Sequence, residues 1–174
     1  MKLMKNKGLI TVIALLLLTA GTLFYVNEIQ AASDDVKVGA QVGMKAPDFT
    51  LEDMSGEKIS LYDLQGQKVF LNFWASWCPP CKAEMPAIQK LYKNNENIKV
   101  LTVNIQEGKD KVFDYLMKNN FSFTTLLDKS GTVASSKYLV RGIPTTFILD
   151  KDSIIQARHS GALTYEQMQD LVSK

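Results

Sequence analysis

The sequence predicts an α/β domain with a mixed β-sheet and helices on both faces, preceded by one N-terminal transmembrane helix. Two observations predict this fold class. A strand–helix–strand order in the body is followed by a hairpin pattern near the end of the chain. Residues 8–26 form an uncharged run of 19 residues. As a helix this run is about 28 Å long, which matches a bilayer core.

The excess positive charge of the chain lies in its first 30 residues. The chain has 20 Lys+Arg and 18 Asp+Glu, and residues 1–30 hold the whole net charge of +2. By the positive-inside rule, residues 1–7 are a cytoplasmic tip, 8–26 a signal anchor, and the body lies outside the cytoplasm at the cell membrane. A cleavable signal peptide is the alternative, although residues 29–32 match an Ala-x-Ala site poorly. The neutral remainder argues against nucleic-acid binding, which usually needs a basic face.

The body is predicted to contain a linker over 27–45 and one globular domain over 46–174. The linker is rich in small and polar residues. At the start of the domain, 48–53 and 58–62 alternate as strands on either side of the turn 54–57 (MSGE). This pattern predicts a β-hairpin.

The central elements are set by apolar periodicity. Residues 68–74 form a continuous apolar strand, and 98–104 form a second one. Helices are predicted over 80–94 and 109–119. The apolar residues at helical spacing are Met85, Ile88, Leu91 and Tyr92 in the first helix and Val112, Phe113 and Leu116 in the second.

Shorter elements complete the domain. They are a strand over 123–127, a short helix over 132–138, and a hairpin of strands 145–149 and 153–159. A closing helix is predicted over 164–173, with Thr164 as N-cap and Gln167 completing a capping box.

Both cysteines of the chain lie in one Cys-x-x-Cys, Cys78-Pro79-Pro80-Cys81, between the apolar strand and the first helix. A zinc site needs two more ligands, and the only histidine, His159, cannot complete one, so no metal is expected unless a dimer shares it. Two buried structural thiols are a further alternative. A redox pair is favoured, because Cys-x-x-Cys at a strand-to-helix junction is the thioredoxin-type arrangement.

The position of the motif explains how it would react. Cys78 would sit at the helix N-cap, where free N–H groups and the helix dipole stabilise a thiolate. Pro79 and Pro80 are tolerated in the first turn because N–H groups there have no intrahelical partner. Cys81, one turn inside, could resolve a mixed disulfide on Cys78. This chemistry needs a thiol pair and a docking surface, and no organic cofactor.

Two stretches resemble the thioredoxin superfamily. Residues 73–82 (FWASWCPPCK) look like its active-site stretch. Pro86, five residues after Cys81, matches the proline that kinks the active-site helix, and residues 142–145 (GIPT) resemble the loop whose cis-proline faces the cysteines. The resemblance covers about 44–174 and implies a thioredoxin-like fold.

Within the superfamily the chain is most similar to the membrane-anchored, extracytoplasmic ResA/TlpA-like thiol-disulfide oxidoreductases, which include the ResA and StoA types. Three features carry this resemblance: the predicted anchor over 8–26, the hairpin opening with 46–49 (APDF), and a central helix–strand insertion at about 105–127.

The resemblance implies catalytic roles for Cys78, Cys81 and Glu84. Asn72 occupies the position of a buried aspartate in thioredoxins, and an amide is no proton acceptor. Glu84 follows Cys81 by three residues and so shares its helix face. The glutamate of ResA-like proteins lies by the cysteine pair and tunes it. A partly buried carboxylate there has a raised pKa, raises the thiol pKa values and could shuttle a proton. An exposed helix residue paired with lysines is the alternative.

Five other residues are predicted to contact substrate: Trp77, Pro79, Pro80, Ile143 and Pro144. X-Pro bonds are cis only about 5–6% of the time, but the resemblance predicts a cis bond before Pro144. Such a bond would present the Ile143 backbone to an extended substrate. Trp77 is predicted to shield the edge of the disulfide.

The resemblance implies a monomeric reductant of disulfides outside the cytoplasm. Its expected substrate is oxidised apocytochrome c, whose Cys-x-x-Cys-His must be reduced before haem attachment. Electrons would arrive through a membrane protein of the CcdA/DsbD type. The closest alternative is reduction of another exported protein, including one needed for the spore envelope.

Three other functions are alternatives to this one. A disulfide-forming oxidase stays open, because the two prolines do not decide the direction of electron flow. A peroxiredoxin needs Pro-x-x-x-Thr/Ser-x-x-Cys, but Leu71 and Ala75 occupy its first and fifth positions. A thioredoxin-fold binding module or chaperone without turnover is disfavoured by the intact Cys78 and Cys81.

Overall fold

A computed structural model of the chain describes residues 36–173, together with Leu17 and Thr22. The chain divides into two units, 1–36 and 37–174, of which the second is described below. The predicted cytoplasmic tip, the anchor apart from those two residues, and the first part of the linker lie outside the described residues. Among the helices that are described, none has the length and apolar character needed to cross a membrane.

Within the described residues, seven strands form one mixed sheet in the order β2-β1-β5-β4-β3-β6-β7. The strands are β1 Thr50–Asp53, β2 Lys58–Ser60, β3 Lys68–Trp74, β4 Ile98–Ile105, β5 Thr124–Asp128, β6 Thr145–Leu149 and β7 Ile155–Ser160. The central strands β3, β4 and β5 are parallel. The outer strands pair antiparallel on both sides. The mixed sheet is therefore as predicted.

The helical elements also follow the predicted order. They are α1 Pro79–Asn94, α2 Lys109–Lys118 and α3 Tyr165–Ser173, with a 3₁₀ turn Leu61–Leu64 and a π-helical turn Val133–Lys137. The capping box of α3 is confirmed, because the Thr164 N–H donates to Gln167 Oε1 and the Gln167 N–H donates to Thr164 Oγ1.

The second strand ends earlier than predicted because a helical cap intervenes. Strand β2 stops at Ser60 rather than at 62. The Ser60 hydroxyl oxygen accepts from the Tyr62 N–H, and the Asp63 carboxylate accepts from the Ser60 N–H. This reciprocal cap turns the chain into the 3₁₀ turn.

The two faces of the sheet bury two separate cores. Alternate residues of β3 divide between them: Phe70 and Trp74 face one core, and Leu71 and Phe73 face the other. All three α-helices contribute buried residues to the first core. The second is covered by the 3₁₀ turn, the π-helical turn and the segment before β1. The prediction of helices on both faces is thus right for the first face. The second face is covered by short helical turns and carries none of the three α-helices.

Two residues predicted to lie on apolar helix faces are exposed. Phe113 is 47% exposed, whereas Val112 and Leu116 are buried. Residues four apart lie on one stripe of a helix, and Phe113 lies about 100° away from Val112. Tyr92 is exposed at the end of α1 for the same reason, beside the buried Leu91.

Residues 37–45, which the sequence assigned to the linker, pair with the edge strand β7. The Gly43 N–H donates to the Ile155 carbonyl at 2.8 Å, and the Ile155 N–H donates to the Met44 carbonyl at 2.9 Å. Arg158 of β7 also donates to the Ala40 carbonyl. The segment thereby covers part of an edge that would otherwise be unpaired.

Tyr138 is the centre of the second core. It is fully buried, and its ring centroid lies 5.0 Å from that of Phe73 and 5.1 Å from that of Phe147. Its hydroxyl donates to the Pro47 carbonyl at 2.9 Å. Burial raises the pKa of the Tyr138 hydroxyl far above its usual value. Tyr138 thus ties the start of the domain to the sheet.

Replacement of Tyr138 is expected to destabilise the domain in two steps. Tyr138→Phe leaves the Pro47 carbonyl unpaired and should lower the unfolding free energy by about 1–3 kcal/mol. Tyr138→Ala also opens a cavity and should cost about 3–5 kcal/mol. Urea denaturation measures both, with the exposed Tyr92→Ala as the matched control, expected to change stability by about 0.5 kcal/mol or less. Equal losses for the two alanine variants would contradict this account of the core.

Candidate active site

The Cys-x-x-Cys motif lies where β3 gives way to α1. Strand β3 ends at Trp74, and a tight turn follows in which the Cys78 N–H donates to the Ala75 carbonyl at 3.2 Å. Cys78 and Cys81 are joined by a disulfide. Cys78 is only 3% exposed and Cys81 is fully buried. The predicted strand-to-helix junction is confirmed.

Cys78 is the N-cap residue of α1, and its sulfur performs the capping. Its backbone is extended, and Sγ accepts the Cys81 N–H at 3.2 Å. Pro79 and Pro80 have no N–H, so the N–H of Cys81 is the first one of the helix that is directed at the sulfur. This donor and the positive end of the helix dipole favour a thiolate at Cys78 once the disulfide is reduced.

The loop before β6 lies against the same sulfur. The Ile143–Pro144 peptide bond is cis. The Ile143 carbonyl oxygen is 3.6 Å from Cys78 Sγ, while the Pro144 carbonyl accepts from the Gly161 N–H. The structure thus has the cis-proline that the resemblance implied, with the Ile143 backbone beside the disulfide.

The residues next to the buried sulfur atoms form a rim that is exposed only in part. Trp77 is 54% exposed, and Pro79 and Pro80 are also exposed. Ile143 is half-buried and Pro144 is buried. A partner must therefore approach Cys78 across this rim, because the sulfur itself presents little surface to solvent.

Glu84 is buried on the next turn of α1. It is only 2% exposed, so the alternative of a solvated helix residue is wrong. One carboxylate oxygen accepts from Asn72 Nδ2 at 2.9 Å, and the other accepts from the Leu163 N–H at 3.0 Å. These contacts join α1 to β3 and to the segment that leads into α3.

Burial controls the titration of Glu84. Loss of solvation raises the pKa of its carboxyl to about 7, although the hydrogen bonds from Leu163 and Asn72 favour the charged form. The group thus changes protonation near neutral pH. Its i, i+3 spacing places it on the same helix face as Cys81, where the sequence predicted a group that exchanges a proton with the thiol.

Asn72 orients Glu84 rather than exchanging protons. The Nδ2 group donates to Glu84 and also to Thr146 Oγ1 at 3.0 Å. Among the described residues its Oδ1 has no hydrogen-bond partner. Asn72 lies between Phe70 and Trp74 on the face of β3 that meets the helices. This position could have indicated that Asn72 contacts a residue of α1.

A second buried carboxylate near the motif, Glu107, was not predicted from the sequence. The Ser76 N–H donates to its Oε2 at 2.6 Å, and the Ser76 hydroxyl donates to Oε1 at 2.7 Å. Asn104 donates to Oε2, and Lys111 forms an ion pair with Oε1 at 2.8 Å. Burial would raise the pKa of Glu107, but the hydrogen bonds from Lys111, Ser76 and Asn104 hold it below its usual value.

Topology explains why Glu107 reaches the motif. Strands β3 and β4 are parallel, with Trp74 paired to Asn104 at their carboxyl ends. The turn after β3 and the turn after β4 therefore meet at one edge of the sheet. An asparagine at the end of an apolar strand, followed three residues later by a glutamate, is the signal that could have found this site.

His159 is half-buried on β7, paired in register with Thr146. No group of three or more His, Cys, Asp or Glu residues in the described part of the chain could hold a metal ion.

Comparison with known proteins identifies the family. The sequence model of the AhpC/TSA family matches residues 42–158. The chain belongs to the AhpC/TSA family. This AhpC/TSA protein is 34% identical over 172 residues to a thiol-disulfide oxidoreductase ResA of Bacillus cereus, covering 98% of the chain and 97% of ResA. It is 43% identical over 137 residues to the thioredoxin-like protein YneN of Bacillus subtilis, covering 76% and 79% of the two chains.

A solved structure shows the same fold. The crystal structure of StoA from Bacillus subtilis superposes on the AhpC/TSA protein with a TM-score of 0.64 and 34% identity, over 72% of this chain and 96% of StoA. With the Cys78–Cys81 disulfide in place, these likenesses make this AhpC/TSA protein a thioredoxin-like thiol-disulfide oxidoreductase.

Glu84 is expected to make the stability of this AhpC/TSA protein depend on pH. The pKa of its carboxyl is about 7 in the folded protein, whereas an unperturbed glutamate has a pKa of 4.5. The folded state therefore holds the proton more tightly than the unfolded state. The unfolding free energy should therefore fall as pH rises from about 4.5 to 7, by roughly 3 kcal/mol. Glu84→Gln should remove this fall when urea denaturation of the oxidised protein is followed between pH 4.5 and 8.

The exposed Glu96→Gln is the control for this measurement and should keep the wild-type profile. If Glu84→Gln and wild type lost the same stability across this pH range, Glu84 would not be the group whose bound proton stabilises the folded state.

Proposed function

We propose that the protein reduces disulfides in exported proteins outside the cytoplasm, and that oxidised apocytochrome c is its substrate. The observation that carries the direction of electron flow is the buried Glu84. A carboxylate one helix turn from Cys81 raises the pKa of the Cys81 thiol when it is charged. It thereby disfavours the dithiolate state and makes the reduced pair a better electron donor.

Two exchanges complete the proposed reaction. The Cys78 thiolate attacks one sulfur of the substrate disulfide, so that a mixed disulfide forms and the other substrate sulfur leaves as a thiolate and takes a proton. Cys81 then gives its proton to the Glu84 carboxylate and attacks the Cys78 sulfur. The second substrate sulfur leaves as a thiolate and takes the proton that Glu84 holds, and the Cys78–Cys81 disulfide forms. The substrate gains two electrons and two protons.

The rim around the disulfide would bind the substrate. The Ile143 backbone, beside Cys78 Sγ, supports pairing with an extended peptide on either side of its cysteine. Trp77 and the two prolines between the cysteines offer exposed apolar surface next to it. A buried sulfur with such a rim reacts with a docked partner in preference to a small thiol in solution.

The electron source and the compartment belong to the same proposal. The charge pattern of residues 1–30 supports a single-pass anchor over 8–26 with the domain outside the cytoplasm. A reductant in that compartment needs electrons from within, and a CcdA/DsbD-type membrane protein would supply two electrons per cycle to the Cys78–Cys81 disulfide. The monomer would need no organic cofactor.

A second candidate substrate is an exported protein needed for the spore envelope. The likeness to StoA, at 34% identity over most of that chain, favours it. Both candidates use the same chemistry at Cys78 and differ only in the protein that docks on the rim. A disulfide-forming oxidase would run the two exchanges in reverse.

A trapping variant identifies the substrate directly. In Cys81→Ala the second exchange cannot occur, so the mixed disulfide on Cys78 should accumulate in cells. We expect a covalent complex that disappears on reduction and contains apocytochrome c by mass spectrometry. Cys78→Ala is the matched control, because it keeps the other cysteine but cannot make the first attack.

The outcomes separate the candidates. A spore-envelope protein in the complex, together with normal c-type haem in a deletion strain, would replace the first substrate by the second. No covalent complex in Cys81→Ala would contradict the reductase mechanism as a whole.

A further inference from the structure

We propose that Glu107 is a positioning residue for Cys78: it holds the turn over residues 75–78 in place, with Lys111 as its counter-charge. The inference rests on the thiol-disulfide exchange at Cys78 and is independent of which protein is the substrate. Glu107 and Lys111 belong to the insertion that follows β4, so this insertion would help to position Cys78.

The Glu107 carboxylate is built into the turn by two bonds to one residue. The Ser76 N–H and the Ser76 hydroxyl donate to different oxygens of the carboxylate, at 2.6 and 2.7 Å. Ser76 itself is buried. The backbone of Ser76 lies beyond the end of β3, so the side chain of Glu107, in the turn after the neighbouring parallel strand β4, provides the acceptor that the sheet no longer provides.

Two further contacts fix the carboxylate. Asn104, the last-but-one residue of β4, donates to Oε2 at 2.9 Å. Lys111, in the first turn of α2, forms the ion pair with Oε1. The side chain of Glu107 is 2% exposed and that of Lys111 is 61% exposed, so the charge of a buried group is balanced from the solvent side.

The turn held in this way places the attacking sulfur. Ser76 precedes Cys78 by two residues, and the Cys78 N–H donates back to Ala75 across the turn. A shift of Ser76 would move Cys78 away from the Cys81 N–H and from the Ile143 carbonyl. Displacement of a reacting group by about 1 Å can reduce a rate as much as 100-fold.

Asp128 provides a matched control in the same sheet. It is 1% exposed, and its Oδ2 accepts the Ala134 N–H at 2.9 Å. It therefore anchors a turn with a buried carboxylate, as Glu107 does. The turn that it anchors leads into the π-helical turn and not to the motif.

The test compares exchange rate with stability in the full chain. We measure the second-order rate constant for the reduced protein with oxidised glutathione, and the unfolding free energy in urea. Glu107→Ala should lower the rate constant about tenfold. Glu107→Gln should stay within about threefold of wild type, because its amide oxygen can accept the Ser76 N–H and its amide nitrogen can donate to the Ser76 hydroxyl.

Asp128→Ala should lose stability but keep the rate constant within about twofold. Equal slowing by Glu107→Ala and Asp128→Ala would show a general loss of structure and overturn the proposal. So would a Glu107→Ala protein that reacts at the wild-type rate.

A milder variant keeps the proposal testable if Glu107→Ala does not fold. Ser76→Ala removes the hydroxyl bond and leaves the backbone bond to Glu107. It should lower the rate constant about threefold and destabilise the protein less than Glu107→Ala does, and a wild-type rate in this variant would count against the proposal. Because glutathione replaces the protein substrate, failure here leaves the proposed substrate untouched, and failure of the trapping experiment leaves this inference untouched.

Discussion

The hydrogen bond from the Cys81 N–H to Cys78 Sγ is the constraint around which the site is arranged. It requires that helix α1 begin at a cysteine and that no nearer N–H compete, and Pro79 and Pro80 meet the second condition. It also requires that the turn after β3 hold Cys78 at the end of the helix axis. The parallel pairing of β3 with β4 provides that position, because it brings Glu107 to Ser76 at the same sheet edge.

Two buried carboxylates near the motif have opposite environments. Glu107 has four donors, one of them the lysine ammonium group, and burial does not overcome them, so its pKa lies below the usual value. Glu84 has two neutral donors, and burial dominates, so its pKa rises to about 7. One group is therefore a permanent anion suited to holding a turn, and the other is suited to exchanging a proton with Cys81 at neutral pH.

Periodicity and turn chemistry were enough to predict the elements, because β3, α1 and the α3 cap each follow from residues that are close in sequence. The redox pair was predicted from the Cys-x-x-Cys spacing at the strand-to-helix junction. The buried Glu84 and the cis bond before Pro144 needed the family resemblance, since no local pattern separates them from ordinary residues. Neither local sequence patterns nor the family resemblance predicted the role of Glu107. Its role depends on contacts with Ser76, 31 residues away, which exist only once two parallel strands are paired. Phe113 was misplaced because one apolar residue beside a helical stripe resembles part of it.

The central claim is that the start of α1 activates Cys78 ahead of Cys81. Alkylation of the fully reduced protein with iodoacetamide between pH 4 and 10, followed by peptide mass spectrometry, measures the reactivity of each cysteine separately. The account predicts that Cys78 reacts first, with an apparent pKa below the value of about 8.5 for a free cysteine, and that Cys81 reacts only at higher pH. Equal reactivity of the two residues, or modification of Cys81 first, would contradict it.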